Sequence, residues 1–271
     1  MESYASGFAR VDDTSDAHSF VHYLDLIHSL PFFQECKKKS YERLRLSSGC
    51  SVLEIGCGNG IDAKNLSEIV GESGNVVGID ISSTMLNAAR VTTHATDPSP
   101  EFMLCNGQHL AFLDATFHAV RSDRVIQHTS DPFTVIKEIA RVTRPAGTVV
   151  IFEPDWGTFA IWPADRNISR MILNFWCDSI PSGLVGRSLH ATFLQAGLVD
   201  IEVQPMTLTL TNLAIIKKVY DLENTFSEAV KKKIVEPHQA KKWAEDLVQA
   251  DSEGLVFSSL TFFLVTGNKK S

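Results

Sequence analysis

Gly56, Gly58 and Gly60 alternate within Val52–Gly60, which reads Val-Leu-Glu-Ile-Gly-Cys-Gly-Asn-Gly. Asp80 ends a second apolar run, Val76-Val77-Gly78-Ile79, 20 residues beyond Gly60. Strand, glycine-dense turn, helix, second strand and terminal carboxylate make half of a doubly wound nucleotide-binding sheet. Glycines let backbone approach a ligand closely and adopt positive φ. A carboxylate at the end of the second strand can accept both hydroxyls of a ribose. Hydrogen bonds to such a charged acceptor are worth roughly 1.5–3 kcal/mol each. The turn is not a dinucleotide fingerprint, because the position of its third glycine is Ile61. It does not end in the Gly-Lys-Ser/Thr of a phosphate-cradling P-loop either. Glu54 precedes it and would repel a pyrophosphate. A ligand with a zwitterionic amino-acid tail and a sulfonium centre fits better.

On these residues, Val52–Gly60 and Gly78–Met85 resemble motifs I and II of the class I S-adenosylmethionine-dependent methyltransferases. The small-molecule type, the "methyltransferase domain 11" and quinone-biosynthesis enzymes, is the nearest in pattern. The similarity runs from about residue 40 to about 155 and only weakly beyond. It implies S-adenosyl-L-methionine as cofactor and S-adenosyl-L-homocysteine as product. It also implies that the turn from Glu54 through Gly56, Cys57, Gly58, Asn59 and Gly60 wraps the methionine moiety. Asp80 then holds the ribose, and Ile81 packs on the adenine with Met85 close by. Asn106-Gly107-Gln108 stands where the family commonly has an acid that accepts from the adenine amino group. The Asn106 amide oxygen can still accept, and Gly107 would offer its backbone amide. Ser122 falls near the methyl donor, and Arg124 either holds the methionine carboxylate or stays in a surface salt bridge. His118 replaces the family's usual acid at the start of the fourth strand and reads as structural.

The acceptor side is expected at the ends of the fourth and fifth strands. His128 is a candidate base, since a free imidazole titrates near ~6.5. In Glu153-Pro154-Asp155-Trp156-Gly157, Asp155 or Glu153 could position an amine or hydroxyl, and Trp156 could stack on a ring. The candidate catalytic residues are His128 and Asp155. The candidate substrate-binding residues are Tyr23, His128, Asp155 and Trp156. Because a sulfonium carries its own activated methyl group, the protein must mainly align the nucleophile and exclude water. Such alignment can supply roughly 7–11 kcal/mol.

These residues need a scaffold. Strands are expected near 51–55, 75–79, 100–104, 118–123 and 147–153, with helices near 60–70, 83–92 and 131–143. Asp131-Pro132 is a helix start, and Pro145-Ala146-Gly147 is a turn. The expected fold is α/β: a Rossmann-like seven-stranded methyltransferase sheet, mostly parallel with an antiparallel edge, with N-terminal helices and a helical cap. Residues 1–46 read as an N-terminal helical arm or lid, with 1–14 a loose polar arm. Within that arm, Phe20, Tyr23, Leu24, Ile27 and His28 recur at helical spacing, and Lys37-Lys38-Lys39 reads as a solvated face. Residues 47–155 form the S-adenosylmethionine-binding core. Residues 156–271 complete the sheet with helices at 163–178 and about 188–196, β runs at about 200–210 and 255–266, and an inserted helical cap at 212–252.

Composition limits the function classes. The 271 residues are 44% hydrophobic, enough for a full core. A net charge of −7 argues against a bulk grip on nucleic acid. The five cysteines form no C-x-x-C pair, and the histidines show no metal-ligand spacing, so no metal is expected. No basic, apolar leader or membrane-length apolar run is present, which reads as a soluble, cytoplasmic protein without a membrane span. The expected activity is methyl transfer to a small-molecule acceptor, aromatic or amine-bearing, in natural-product tailoring. A quinone-type C-methyltransferase and a non-catalytic cofactor-binding module remain the alternatives. The sequence leaves a homo-oligomer open.

Overall fold

The computed structural model describes residues 4–271. The described residues open with three helices, α1 Tyr4–Gly7, α2 Ala17–Ser29 and α3 Pro31–Arg43, and a 3-10 turn at Phe8–Asp13 joins the first two. The eight strands are β1 Ser51–Ile55, β2 Asn75–Asp80, β3 Glu101–Leu104, β4 Phe117–Asp123, β5 Thr143–Pro154, β6 Ala160–Trp162, β7 Leu198–Leu210 and β8 Phe257–Lys269. The first five are parallel, in the order β3-β2-β1-β4-β5. Beyond β5 the sheet turns antiparallel, with β8 between β5 and β7. The short β6 also pairs with β8 and brings the strand number to eight. It was not expected from the sequence, because three residues carry no readable periodicity.

Crossover helices follow the parallel strands: α4 Ile61–Val70, α5 Ser83–Thr93 and α6 Pro132–Val142. Their starts follow from local chemistry. Gly60 enters α4 at φ 80°, the Ser82 hydroxyl accepts from Met85 N at 3.1 Å, and Asp131 accepts from Thr134 N at 3.0 Å with Pro132 in the first turn. Successive residues of β1 serve opposite faces of the sheet. Val52 joins an apolar layer with Leu66, Phe152 and Trp243, and Leu53 joins a second with Val120, Ile136 and Leu189.

The later helices are α7 Arg166–Ser179, α8 Val185–Gln195, α9 Leu213–Val219, α10 Leu222–Lys231 and α11 Pro237–Ser252. The expected cap at 212–252 is thus three helices, broken where Asp221 and Lys233 take positive φ. Among the described residues, no helix is long and apolar enough to cross a membrane.

Two expectations about the N-terminus are corrected. Residues 4–13 are not a loose arm: Val11 is buried, and the Phe8 and Tyr4 rings meet Phe20 edge-on at 5.0 and 5.1 Å. Aromatic side chains at positions 4 and 8 anchor a segment whose polar residues suggested disorder. Lys37 is not on a solvated face. It is buried with Phe33, Ser40 and Leu44, one helical stripe, and its ammonium pairs with Asp62 and Asp123.

Candidate active site

A cavity of ≈ 310 Å³ lies over the carboxyl ends of β1, β2, β4 and β5, where Ile55, Asp80, Asp123 and Pro154 line it. Ligands of open α/β sheets bind at this edge.

One half is built on the glycine turn. Gly56 and Gly58 line the cavity at φ 65° and 51°. A Cβ on Gly56 would stand 2.3 Å from Val125 Cγ2, so only glycine lets the turn pass the loop after β4. Asp80 accepts from Gly58 N at 3.0 Å and from Ser82 N at 2.9 Å, one amide on each oxygen. Each oxygen keeps a lone pair for a ligand hydroxyl. Burial raises the Asp80 pKa, and these amides oppose the rise. Ile81, Met85, Asn106, Gly107 and Gln108 line the same half. The Asn106 side-chain oxygen accepts from Gln108 N at 2.9 Å, which fixes the loop.

Arg124 sits at the midpoint. Its backbone is left-handed at φ 56°, its Nε donates to Asp123 at 2.9 Å, and its guanidinium lies 4.9 Å from the Phe33 ring centre. It lines the cavity in a buried pair, not a surface salt bridge.

The other half is aromatic. Tyr23, Trp156, Trp176 and Tyr220 line it with His128. Trp156 meets Trp176 edge-on at 5.4 Å and donates from Nε1 to Gln127 at 2.7 Å. The Tyr23 hydroxyl donates to Val219 O at 2.9 Å, and its ring stacks on Tyr4 at 4.4 Å. Phe8 lies 5.4 Å from the His128 ring, so the N-terminal segment forms part of the wall. His128 Nδ1 is buried without a partner. Burial, followed by the Arg124 charge, pushes its pKa down to about 3, so the imidazole is neutral near pH 7. A base titrating near the operating pH was the sequence expectation, and burial and the Arg124 charge act against it.

Several candidates lie outside the lining. Asp155 is buried away from it: Arg187 donates to both its oxygens at 2.5 and 2.8 Å, and Gly157 N donates at 3.1 Å. Its pairing with Arg187 was invisible across 32 residues. Glu54 is buried beneath the turn, 2.5 Å from Arg121. Ser122 is buried within the sheet, its hydroxyl without a partner. Cys57 is buried behind the turn, its amide bound to Ile79 O at 2.9 Å. Asn59 donates to Asp25 at 2.8 Å, and Gly60 is pressed against Ala89. His118 accepts from Ser51 N at 2.9 Å, at the far end of β4 from the cavity.

Beneath the turn is a buried charge network that the sequence did not announce. Arg121, with a fully buried side chain, reaches Glu54, Asp62 at 3.4 Å and Asp123 at 2.7 Å. Lys37 and Tyr41 of α3 close on Asp62. These carboxylates come from β1, α4 and β4, so only the fold assembles them. The one available signal was the register of Lys37 with Phe33 and Leu44.

Residues 53–151 match the Methyltransferase domain family. A demethylmenaquinone methyltransferase of Bacillus licheniformis is 33% identical over 201 residues, covering 68% of this chain and 86% of its own. The chain belongs to the S-adenosylmethionine-dependent methyltransferases. An uncharacterized 37.1 kDa protein in transposon TN4556 of Streptomyces fradiae is 31% identical over 246 residues, covering 90% of this chain and 70% of its own. The phosphoethanolamine N-methyltransferase 2 of Haemonchus contortus, solved with S-adenosyl-L-methionine, has the same fold. It aligns at a TM-score of 0.62 and 17% identity, covering 100% of this chain and 61% of its own.

The lining fits the methyltransferase cofactor. The acceptor lone pairs of Asp80 suit two ribose hydroxyls, and the glycine turn leaves room where side chains would intrude. Arg124 offers a cation for a carboxylate. The cofactor supplies an activated methyl on sulfur when bound. Asp80, the glycine turn and Arg124 are the residues that would hold and orient it.

Proposed function

We propose that this methyltransferase acts on a small-molecule acceptor held in the aromatic half of the cavity, in the tailoring of a natural product. The carrying observation is the shape of the site: one cavity joins the glycine turn and Asp80 to an aromatic wall of Tyr23, Trp156, Trp176 and Tyr220. The N-terminal segment forms part of its wall through Phe8 and Tyr4. A net charge of −7 favours neither DNA nor RNA.

In this reading Asp80 binds the ribose, and Gly56 and Gly58 pass the methionine moiety. Arg124 takes its carboxylate, and Ile81, Met85 and Asn106–Gln108 surround the adenine. Residues 47–155 carry the cofactor, and 1–46 with 156–271 supply the acceptor walls together with His128 of the core. Catalysis rests on alignment and on exclusion of water by the aromatic wall. The second reading is a quinone-type C-methyltransferase, which the demethylmenaquinone relative favours.

The test is transfer of labelled methyl from S-adenosyl-L-methionine to a panel of phenols, quinols and amines, beside RNA and a histone mixture. Transfer to small acceptors alone is the expected outcome. Transfer confined to the macromolecules would overturn the reading.

A further inference from the structure

Glu153 is a buried acid that methyl transfer, as read so far, leaves without a task. The sequence offers it to an amine or hydroxyl, but the cavity lining takes Pro154 from the end of β5, not Glu153. Glu153 stands two residues from Ile151 on the same face of β5, against the second apolar layer, and is fully buried. An acid enclosed there costs stability unless its oxygens are taken up.

The backbone of the loop after β4 takes them up. Oε1 accepts from Val125 N at 2.8 Å and from Ile126 N at 2.6 Å, and Oε2 faces Gln127 N at 3.4 Å. One residue earlier, Arg124 N donates to Phe152 O at 2.7 Å. Four successive amides thus point at the end of β5. Arg124 is left-handed at φ 56° and Val125 right-handed at φ −111°, a turn that aims consecutive N–H groups into one concavity. Burial pushes the Glu153 pKa up to about 8, and the three amides pull it back. Oε1 has lone pairs for both short hydrogen bonds whether or not Oε2 carries a proton.

The same loop faces both halves of the cavity, which Arg124, Val125, Gln127 and His128 all line. Val125 is pressed on the glycine turn at Gly56. The Gln127 side chain donates to Arg124 O at 3.1 Å and accepts from Trp156 Nε1 at 2.7 Å, tying the aromatic wall to the loop. Groups for the cofactor and groups for the acceptor are carried on one backbone segment, and Glu153 fastens it from beneath.

We propose that Glu153 is a positioning residue for methyl transfer. By holding the amides of Val125, Ile126 and Gln127, its carboxyl fixes the cofactor side at Arg124 and Gly56 relative to the acceptor wall at Trp156 and His128. This role rests on the assignment of the two halves given above.

The experiment labels the full chain with 5-fluorotryptophan and reads its four indole resonances by fluorine NMR, with Trp156 assigned through Trp156→Phe. Calorimetry gives S-adenosyl-L-homocysteine affinity, and the acceptor found in the transfer panel gives kcat and KM. Glu153→Leu fills the space without an acceptor atom. Glu153→Gln keeps the oxygen that Val125 and Ile126 need. Glu153→Leu is expected to displace the Trp156 resonance and leave that of Trp243 in place. It should weaken S-adenosyl-L-homocysteine about threefold to tenfold and lower kcat about tenfold to a hundredfold, with acceptor KM changed less than about threefold. Glu153→Gln should restore the Trp156 resonance and stay within about threefold of wild type throughout. A packing role predicts the reverse order, since leucine suits an apolar layer better than glutamine. A wild-type resonance and kcat in Glu153→Leu overturn the proposal, as does a Glu153→Gln protein no better than Glu153→Leu. If Glu153→Leu does not fold, Glu153→Asp, which withdraws the oxygens by one methylene, is held to the same criteria. Loss of cooperative folding in both overturns the proposal, because the acid then holds the fold and not the site. Failure of the wild type to bind S-adenosyl-L-homocysteine, or to methylate any small acceptor, overturns the reading beneath it, while the fluorine spectra still decide whether Glu153 holds the wall.

Discussion

Asp80 and His128 show how environment decides what a side chain can do. Asp80 accepts from Gly58 N on one oxygen and from Ser82 N on the other, which leaves acceptor capacity for a ligand hydroxyl. Its loss should remove the charged acceptor for the ribose. Asp80→Ala is therefore expected to weaken S-adenosyl-L-homocysteine binding about tenfold to a hundredfold, read by calorimetry, with the thermal transition still cooperative. An unchanged affinity would remove Asp80 from the ribose. His128 is at the cavity wall as the sequence suggested, but its pKa of about 3 makes it a neutral hydrogen-bonding group near pH 7. The kcat profile between pH 6 and 8 should carry no inflection that disappears in His128→Ala, while that variant lowers kcat and leaves cofactor affinity intact. An inflection near pH 6.5 that is lost in the variant would restore an ionising base. The roles of Asp155 and Trp156 separated for a similar reason. They are adjacent in sequence, yet Arg187 draws the acid away and Gln127 fixes the indole at the cavity.

Among the elements, the N-terminal segment is tied to the cofactor side by a single carboxylate. Asp12 accepts from the Ser82 hydroxyl at 2.6 Å, from Ser83 N at 2.7 Å and Oγ at 2.8 Å, and from Thr84 N at 3.2 Å. Ser82 also donates its amide to Asp80. The start of α5 thus joins the wall that carries Phe8 and Tyr4 to the proposed ribose carboxylate. Asp12→Ala should loosen this wall and speed S-adenosyl-L-homocysteine dissociation about tenfold in stopped flow, with a smaller change in overall stability. A dissociation rate equal to wild type would show that the segment does not gate the cavity. The parallel core was legible because each of its strands is an apolar run closed by turn chemistry, as in Val76–Ile79 before Asp80. The wall was not, because residues 4–13 are held by distant partners, the Phe20 and Tyr23 rings of α2, Met85 of α5 and the Asp12 bonds to Ser82–Thr84. The 212–252 region was legible as helix, but only Val219 and Tyr220 of it reach the cavity. Helical periodicity reports which face is apolar, not which element that face will meet.

At the scale of the molecule, stability and site are linked through buried ionisable groups. Asp62 and Asp123 have pKa values lowered by their cations: Arg121 and then Lys37 for Asp62, Lys37 and then Arg124 for Asp123, in each case against the upward pull of burial. Their contribution is present above the unfolded carboxylate range near ~3.9 and is lost as pH falls through the folded values. His128 works in a higher window. Its folded pKa lies below the unfolded value near ~6.5, so folding favours the neutral ring. That contribution is complete above pH ~6.5 and is lost progressively as pH falls towards 3. His28 and His118 are displaced in the same direction, chiefly by burial, and share the window. Glu153 and Glu54 act with the opposite sign, since burial raises both to about 8 and their contribution grows as pH falls towards the unfolded carboxylate range, so the histidine contribution is read from the difference between wild type and a variant lacking the ring. By pH 5, His128 alone should account for on the order of 1–2 kcal/mol relative to pH 7. His128→Asn removes the titration while keeping a compact polar group at the wall. Melting temperatures by calorimetry from pH 7.5 to 5 should fall less steeply for His128→Asn than for wild type. Extended to lower pH, the two curves should become parallel only below about pH 3, once the folded imidazole is protonated. Parallel curves across the whole range would mean that the ring protonates in place without disturbing the fold, and that the aromatic half is more open to water than its packing implies.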